Sequence, residues 1–372
     1  MALREEFVGL AGQAGANVHL LCRRFGISPT TGYKWLARAK AGQALADRSR
    51  RPVRTPGRCA PELEQRVLAL RCEHPAWGAR KLARCLKDQG QPMPATSTVH
   101  AILVRHGAIS AAASEAAKPW QRFEHPQPND LWQMDFKGHV PLLQGRCHPL
   151  TVLDDHSRYA VVLQACGDER EATVRQRLIG AFERYGLPAR MTMDNGSPWG
   201  TDSQHFTRLE VWLMRQGIRV SHSRPYHPQT QGKDERFHRT LKAEVLQGPP
   251  WPDLDRAQQA LDRWRQVYNA QRPHQALGMA VPQSRYQPSP RAYCPTPPAP
   301  VYAEGSIVRK VYDQGLIHWQ SQEWRVGKAF IGERVVIQPS AQDGRYDVRW
   351  YTARIACLDL HTRTATTGRS VA

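Results

Sequence analysis

Leu131-Trp-Gln-Met-Asp-Phe-Lys137 decides how the centre of this chain is read, because Leu131, Gln133 and Asp135 alternate with Trp132, Met134 and Phe136. A period of two predicts a short strand with the Asp135 carboxylate on one face. A second apolar run, Ala189 to Met193, leads into Asp194, and Asn195-Gly196 stops that strand. A carboxylate at the carboxyl end of a central strand stands where open α/β sheets place their ligand sites. The third stretch, Gly232-Lys-Asp-Glu-Arg-Phe-His238, follows the breakers Pro225, Pro228 and Gly232, and from Glu235 to Leu246 nothing interrupts a helix. Phe237, Leu241 and Val245 fall on one apolar face of it, and Glu235, Arg239 and Lys242 share a neighbouring one.

Three acids on three separate elements predict one divided metal site. In-line cleavage or transfer of a DNA phosphodiester uses two divalent ions about 4 Å apart, one activating the attacking oxygen and one stabilising the leaving oxygen. Hard ions of this kind need anionic oxygen ligands. Asp135, Asp194 and Glu235 are therefore the candidate catalytic residues and the candidate ligands of two Mg²⁺ or Mn²⁺ ions. Each has a plainer reading alone. Asp194-Asn195-Gly196 is also turn chemistry, Asp154-Asp155 could equally bind a metal, and Asp234 is an immediate rival to Glu235. Helix neighbours point about 100° apart, so only one of that last pair faces the strands.

Three further stretches keep the same order: Thr151-Val-Leu-Asp-Asp-His-Ser-Arg-Tyr159, Ser223-Arg-Pro-Tyr-His-Pro-Gln-Thr-Gln-Gly-Lys233 and Tyr268-Asn-Ala-Gln-Arg-Pro-His-Gln-Ala-Leu277. With them, Leu131 to Tyr286 resembles the catalytic core of the retroviral-integrase superfamily, specifically of DDE-type bacterial insertion-sequence transposases. The resemblance implies a ribonuclease-H-like α/β fold, a mixed five-stranded sheet flanked by helices. It implies that Asp135 bridges both ions while Asp194 and Glu235 each complete one shell. It gives Asp154 and Asp155 a structural turn, and places the catalytic acid immediately before Arg236-Phe237-His238, which leaves Asp234 facing away from the strands. The spacing from Asp194 to Glu235 departs from the usual pattern, and the surplus falls in Pro198-Trp-Gly-Thr-Asp-Ser-Gln204, read as a surface loop that tolerates insertion.

Composition bounds the rest. The 372 residues leave room for several domains, and a formal charge of +19 is the footprint of a polyanion-binding chain. No apolar stretch nears membrane-spanning length, and Glu5 and Glu6 at the start do not suit a signal peptide, so a cytoplasmic protein, nucleoid-associated on DNA and without a membrane partner, is expected. The eight cysteines form no Cys-x-x-Cys pair, and His19 with Cys22 and Cys72 with His74 read as ordinary helix residues rather than zinc ligands.

Residues 1–42 read as a helix-turn-helix module. Asn17 caps a short helix, Gly26 supplies the turn, and Ser28-Pro29 opens a second helix to about Lys40 that carries Thr30, Thr31, Lys34 and Arg38 as DNA-contacting residues. Residues 43–60 form a basic linker whose Arg48, Arg50, Arg51 and Arg54 suit a minor groove. Residues 61–107 read as a second all-α module, its last helix capped by Thr96 or Ser97, and 108–128 as a linker. The core occupies 129–286, where Lys233, Arg239 and Lys242 are further DNA contacts, and a Pro-rich linker 287–304 follows. A small all-β barrel is expected at 305–360, with 361–372 as a tail.

The expectation is a transposase that binds the terminal inverted repeats of an insertion sequence and cleaves and joins DNA with metal ions. Its expected partners are double-stranded DNA and itself, as a dimer or higher oligomer on paired ends. A DNA-binding regulator that has lost catalysis is the alternative. A ribonuclease H would need neither helix-turn-helix module.

Overall fold

The computed structural model describes residues 2–47, 59–91, 94–109, 124–194, 196, 198–199, 205–222 and 232–368. They divide into two compact units, Met1–Ala60 and Pro61–Ala372. The first unit is three helices, α1 (Ala2–Ala11), α2 (Val18–Arg24) and α3 (Pro29–Lys40). Phe7 is completely buried, edge-on to Phe25 and Trp35, and a side chain on Gly32 would strike Phe7 and the Cys22 sulfur. Asn17 and Ser28 accept from Leu20 and Thr31 amides as N-caps, and Gly26 turns the chain at φ +64°. α1, which supplies Phe7, precedes the helix-turn-helix pattern expected from Asn17 to Lys40.

In the second unit α4 (Pro61–Glu73), α5 (Ala79–Asp88) and α6 (Thr96–Arg105) enclose Val67, Leu82, Leu86, Val99 and Leu103. The N-cap of α6 is Ala95 and makes no side-chain cap bond, so the expected Thr96 or Ser97 cap is corrected. Both hydroxyl residues lie within the helix or its first turn, where their side chains stay exposed.

The central sheet runs β4 (Ala160–Cys166), β3 (Arg146–Asp154), β1 (Trp132–Phe136), β5 (Arg190–Met193), β6 (Arg219–His222), with the two-residue β2 (Val140–Pro141) pairing the start of β3. β4, β3 and β1 pair antiparallel, while β1, β5 and β6 pair parallel. That mixed sheet is the expected ribonuclease-H-like core. One apolar layer buries Trp132, Met134, Leu178, Phe182, Met191 and Leu213 beneath α7 (Glu171–Tyr185) and α8 (Arg208–Arg215). The opposite layer buries Leu153, Leu163, Phe237, Leu241, Leu261 and Trp264 beneath α9 (Gly232–Leu241) and α10 (Leu254–Ala270). Asn269 pins α10 to the sheet by bonding both backbone groups of Ala160, at 2.8 and 3.1 Å. Past Leu241 the helix widens into a π turn, Lys242–Leu246, from which Glu244 reaches Arg272 and the Trp264 indole.

The segment read as a plain Pro-rich linker is tied down. Arg291 donates to the carbonyls of Pro188, Gln216 and Gly217, and its own carbonyl accepts from the Leu187 amide. Beyond it come β7 (Ile307–Lys310), β10 (Arg334–Pro339), β11 (Arg345–Trp350), β12 (Ala353–Asp359) and β13 (Thr364–Thr367) in one antiparallel sheet, and the hairpin β8 (Leu316–Trp319) with β9 (Gln322–Arg325). Arg309 joins β7 to the His318 carbonyl and Gln322 joins β9 to the Arg363 carbonyl, so the hairpin closes the sheet at both edges as a small barrel. Thr364–Thr367 is an edge strand, which corrects the reading of 361–372 as a tail. Thr364 and Thr366 on it are exposed, while Ala365 packs against the barrel's apolar core. Val211 and Met214 of α8 join the barrel's apolar core, and Phe206 meets Phe330 edge-on at 5.3 Å.

Candidate active site

β1 and β5 run parallel with Gln133 opposite Thr192, and continuing that register by two residues sets Asp135 abreast of Asp194. Two carboxylates thus stand at the same end of adjacent central strands. Burial, followed by the neighbouring charge of Asp194, pushes the Asp135 carboxyl up to about 7. Two adjacent carboxylates in a partly closed site form an anionic oxygen donor set suited to a divalent cation. Among the described residues no three Asp, Glu, His or Cys side chains converge on one point in this arrangement.

Each strand acid is held from behind. Opposite Asp135 on β3, Thr151 donates its hydroxyl proton to the Asp135 carbonyl at 2.9 Å and meets His238 Nε2 at 2.8 Å. His238 Nδ1 stands 3.8 Å from Asp135 Oδ2, and burial lowers its ring to about 3. The Asp194 carbonyl accepts from His222 Nδ1 at 2.6 Å, and the Asp194 carboxylate accepts from the Gly196 amide. His222 Nε2 in turn lies 2.5 Å from Glu210 Oε1, whose other oxygen accepts from the Thr207 amide in the capping box of α8. Neither His222 nor His238 is among the residues expected at this site from the sequence. A histidine one turn after a candidate ligand, and another ending the strand beside β5, were the available signals.

Glu235 is exposed on α9, whereas Asp234 is 1% exposed and neither of its carboxylate oxygens has a hydrogen-bond partner among the described residues. The expectation that Asp234 faces away from the strands is corrected: it is the inward member of the pair. Burial, with Asp135 and Asp155 adding repulsion, holds its carboxyl well above the usual carboxylate range. Asp154 and Asp155 are structural. Asp154 accepts from the Ser157 amide and hydroxyl and the Asn129 amide, and Asp155 from the His125 amide, the Gln133 amide group and Lys233. Of the Pro198–Gln204 insertion, Trp199 is 1% exposed and stacks on Phe136 at 5.4 Å, and residues 200–204, read as part of a surface loop, lie outside the described residues.

Residues 125–228 match the Integrase core domain family and 216–282 match a second family of the same description. Residues 306–366 match the IS481 family transposase, C-terminal domain. Residues 3–52 and 31–103 match a helix-turn-helix domain and a homeodomain-like domain. The chain is a member of the DDE insertion-sequence transposases of the integrase superfamily. Among relatives, it is 29% identical over 176 residues to the Pro-Pol polyprotein of simian foamy virus type 3 (strain LK3), covering 45% of this chain and 15% of the polyprotein. It is 27% identical over 172 residues to an insertion element IS407 protein of Burkholderia multivorans, covering 46% of this chain and 60% of that protein. The chain therefore spans less than two-thirds of the length of these relatives. A chain of the simian T-cell lymphotropic virus intasome, solved with PP2A regulatory subunit B56 gamma, aligns over 82% of this chain and all of that one, with 18% identity and a TM-score of 0.38.

In this transposase family member the sequence-predicted DNA contacts divide by environment. Thr30 and Lys34 are exposed on α3, while Thr31 bonds the Ser28 hydroxyl and Arg38 is half-buried, donating to the Ala46 carbonyl. Arg48, Arg50, Arg51 and Arg54 lie outside the described residues. Arg239 and Lys242 are exposed beside Glu235. Lys233 is corrected: its ammonium is half-buried against Asp155 and is held in the turn that supports β1. Among the described residues no helix is long and apolar enough to cross a membrane.

Proposed function

We propose that this protein cuts the ends of an insertion sequence and joins them to target DNA, with Asp135, Asp194 and Glu235 holding two Mg²⁺ or Mn²⁺ ions. The observation that carries the reading is the pairing of Asp135 with Asp194 at one end of parallel central strands, where burial and the Asp194 charge raise the Asp135 carboxyl. Exposure favours Glu235 over Asp234 as the third acid, because a carboxylate holding an ion that meets a DNA phosphate must be open to the DNA side. When bound, the ions supply activation of the attacking oxygen and stabilisation of the leaving one.

The chain's own residues set the geometry. Thr151 and His238 fix β1 at Asp135, and the His222–Glu210 pair fixes the backbone at Asp194. Arg239 and Lys242, on the exposed side of the same helix, neutralise phosphates flanking the scissile bond. Water attacks phosphorus at the element's end and the 3′-oxygen leaves as a hydroxyl. That hydroxyl then attacks a target phosphodiester and displaces its 3′-oxygen, so no bond to the protein forms. The helical modules bind the terminal inverted repeats, and two or more copies of the chain assemble on paired ends.

The test is a labelled terminal-repeat duplex with Mg²⁺ or Mn²⁺. Asp135→Asn, Asp194→Asn and Glu235→Gln should each abolish cleavage and strand transfer while binding survives. Sequence-specific binding without metal-dependent cleavage by the unaltered chain would instead favour a regulator.

A further inference from the structure

His238 lies on α9 one turn after Glu235, 8% exposed, with both ring nitrogens directed at the β1–β3 pair. Proton accounting settles which nitrogen is bare. The Thr151 hydroxyl has one hydrogen, and it goes to the Asp135 carbonyl at 2.9 Å. A carbonyl oxygen cannot return it, so in the 2.8 Å contact between Thr151 and His238 the hydroxyl oxygen accepts and Nε2–H donates. With Nε2 committed as the donor to Thr151, Nδ1 is the ring nitrogen left to act as a ligand.

That nitrogen is aimed at Asp135 Oδ2, 3.8 Å away. The separation exceeds a hydrogen bond, and two acceptors facing each other gain nothing by approaching. A cation between them changes this, since metal bonds of about 2.0–2.2 Å from nitrogen and from a carboxylate oxygen span such a gap. The far side of the ring fits the same role: a metal-binding imidazole commonly gives its other N–H to an oxygen that locks its tautomer and orientation. Thr151 does that here.

We infer that His238 Nδ1 is a metal ligand, joining Asp135 on the same ion as a nitrogen donor beside the three acids. This rests on the metal-site reading above and adds a consequence to it. Imidazole suits later first-row metals better than Mg²⁺, which prefers an all-oxygen shell. The site should therefore discriminate in favour of Mn²⁺ more strongly than three carboxylates alone would.

The test uses the full chain and Mn²⁺ alone, read by pulsed electron paramagnetic resonance and by calorimetric titration against Mg²⁺. Bound Mn²⁺ should show the ¹⁴N modulation of a coordinated histidine. His238→Gln keeps an N–H donor for Thr151 but has no atom equivalent to Nδ1, so it should lose the modulation. It should also weaken Mn²⁺ binding by about tenfold or more and change Mg²⁺ binding less. Mn²⁺ whose binding depends on Asp135 yet shows no ¹⁴N modulation would overturn the inference and leave the carboxylate site intact, as would modulation that persists in His238→Gln. Mn²⁺ binding indifferent to Asp135→Asn would remove the metal-site reading and this inference with it. The measurement on the unaltered chain decides the point even if the variant does not fold.

Discussion

His222 binds in two directions at once, 2.5 Å from Glu210 Oε1 through Nε2 and 2.6 Å from the Asp194 carbonyl through Nδ1. A carbonyl only accepts, so Nδ1 carries hydrogen, and one proton lies between Nε2 and the carboxylate. Both side chains are almost completely buried. Removing one member of a buried pair leaves the other uncompensated, which costs about 3–5 kcal/mol. Glu210→Ala should lower thermal stability by roughly that much and, through Asp194, reduce metal-dependent cleavage more than DNA binding. Thermal unfolding and the duplex assay together check it. An unchanged melting temperature would show that the pair does not support the strand end.

Asp234 offers the reverse case. Its carboxyl is enclosed with two oxygens unpartnered among the described residues, and such a group costs about 1–3 kcal/mol relative to one that is satisfied or apolar. Asp234→Leu should raise the melting temperature, because Leu fills similar space without polar atoms. Asp234→Asn should keep most cleavage activity, since the position is sealed from the side on which Glu235 is open. An inactive Asp234→Asn beside an active Glu235→Gln would exchange the two residues' roles.

These two cases mark what the sequence could carry. Asp135 was legible because period-two alternation places it on one face of β1, and Asp194 because a breaker follows an apolar run. Periodicity marked only the strands at Asp135 and Asp194 and the helix from Glu235, and the mixed sheet with its flanking helices was what the resemblance implied. Asp234 and Glu235 were not separable by periodicity, because α9 packs by Phe237 and Leu241 and either acid borders that stripe. The sealed position went to Asp234 through tertiary packing that no local pattern records. His222 and Glu210 are 12 residues apart and meet only because β6 and the start of α8 end together. The Pro-rich segment showed its extended backbone but not the Arg291 contacts that hold it, and Thr364–Thr367 is too polar to announce itself as a strand.

Lys81 on α5 is half-buried near Arg272 and Glu244, and burial, with Arg272 next, lowers its ammonium from 10.5 to about 7. Between those values the unfolded chain binds a proton that the folded chain lacks, so stability rises with pH across that window. The penalty is complete below about pH 7 and gone above about pH 10. Lys81→Met keeps the aliphatic stem and removes the charge. It should stabilise the protein by on the order of 1 kcal/mol at pH 6.5 and by little at pH 10. Equal shifts in melting temperature at both pH values would mean that the ammonium carries no such cost.

The first helical unit makes the final prediction, because its two candidate cations are no longer equivalent. Lys34 and Arg38 lie one turn apart on α3, and the Ser28 cap and buried Gly32 fix how that helix is presented. Lys34 is exposed, whereas Arg38 already donates to the Ala46 carbonyl at 3.3 Å from a half-buried position. A guanidinium held by its own chain must give up that contact to reach a base or phosphate, while a solvated ammonium loses only water. Lys34→Ala should therefore weaken binding of the full chain to terminal-repeat DNA more than Arg38→Ala does. If Lys34 meets a phosphate, the loss should be nearly independent of sequence and the salt slope should fall by about 1; if it meets a base edge, discrimination should drop by about 1–3 kcal/mol. Gel shifts at several salt concentrations, on repeat and scrambled duplexes, separate the two. Full affinity and full discrimination in Lys34→Ala would remove α3 as the recognition helix.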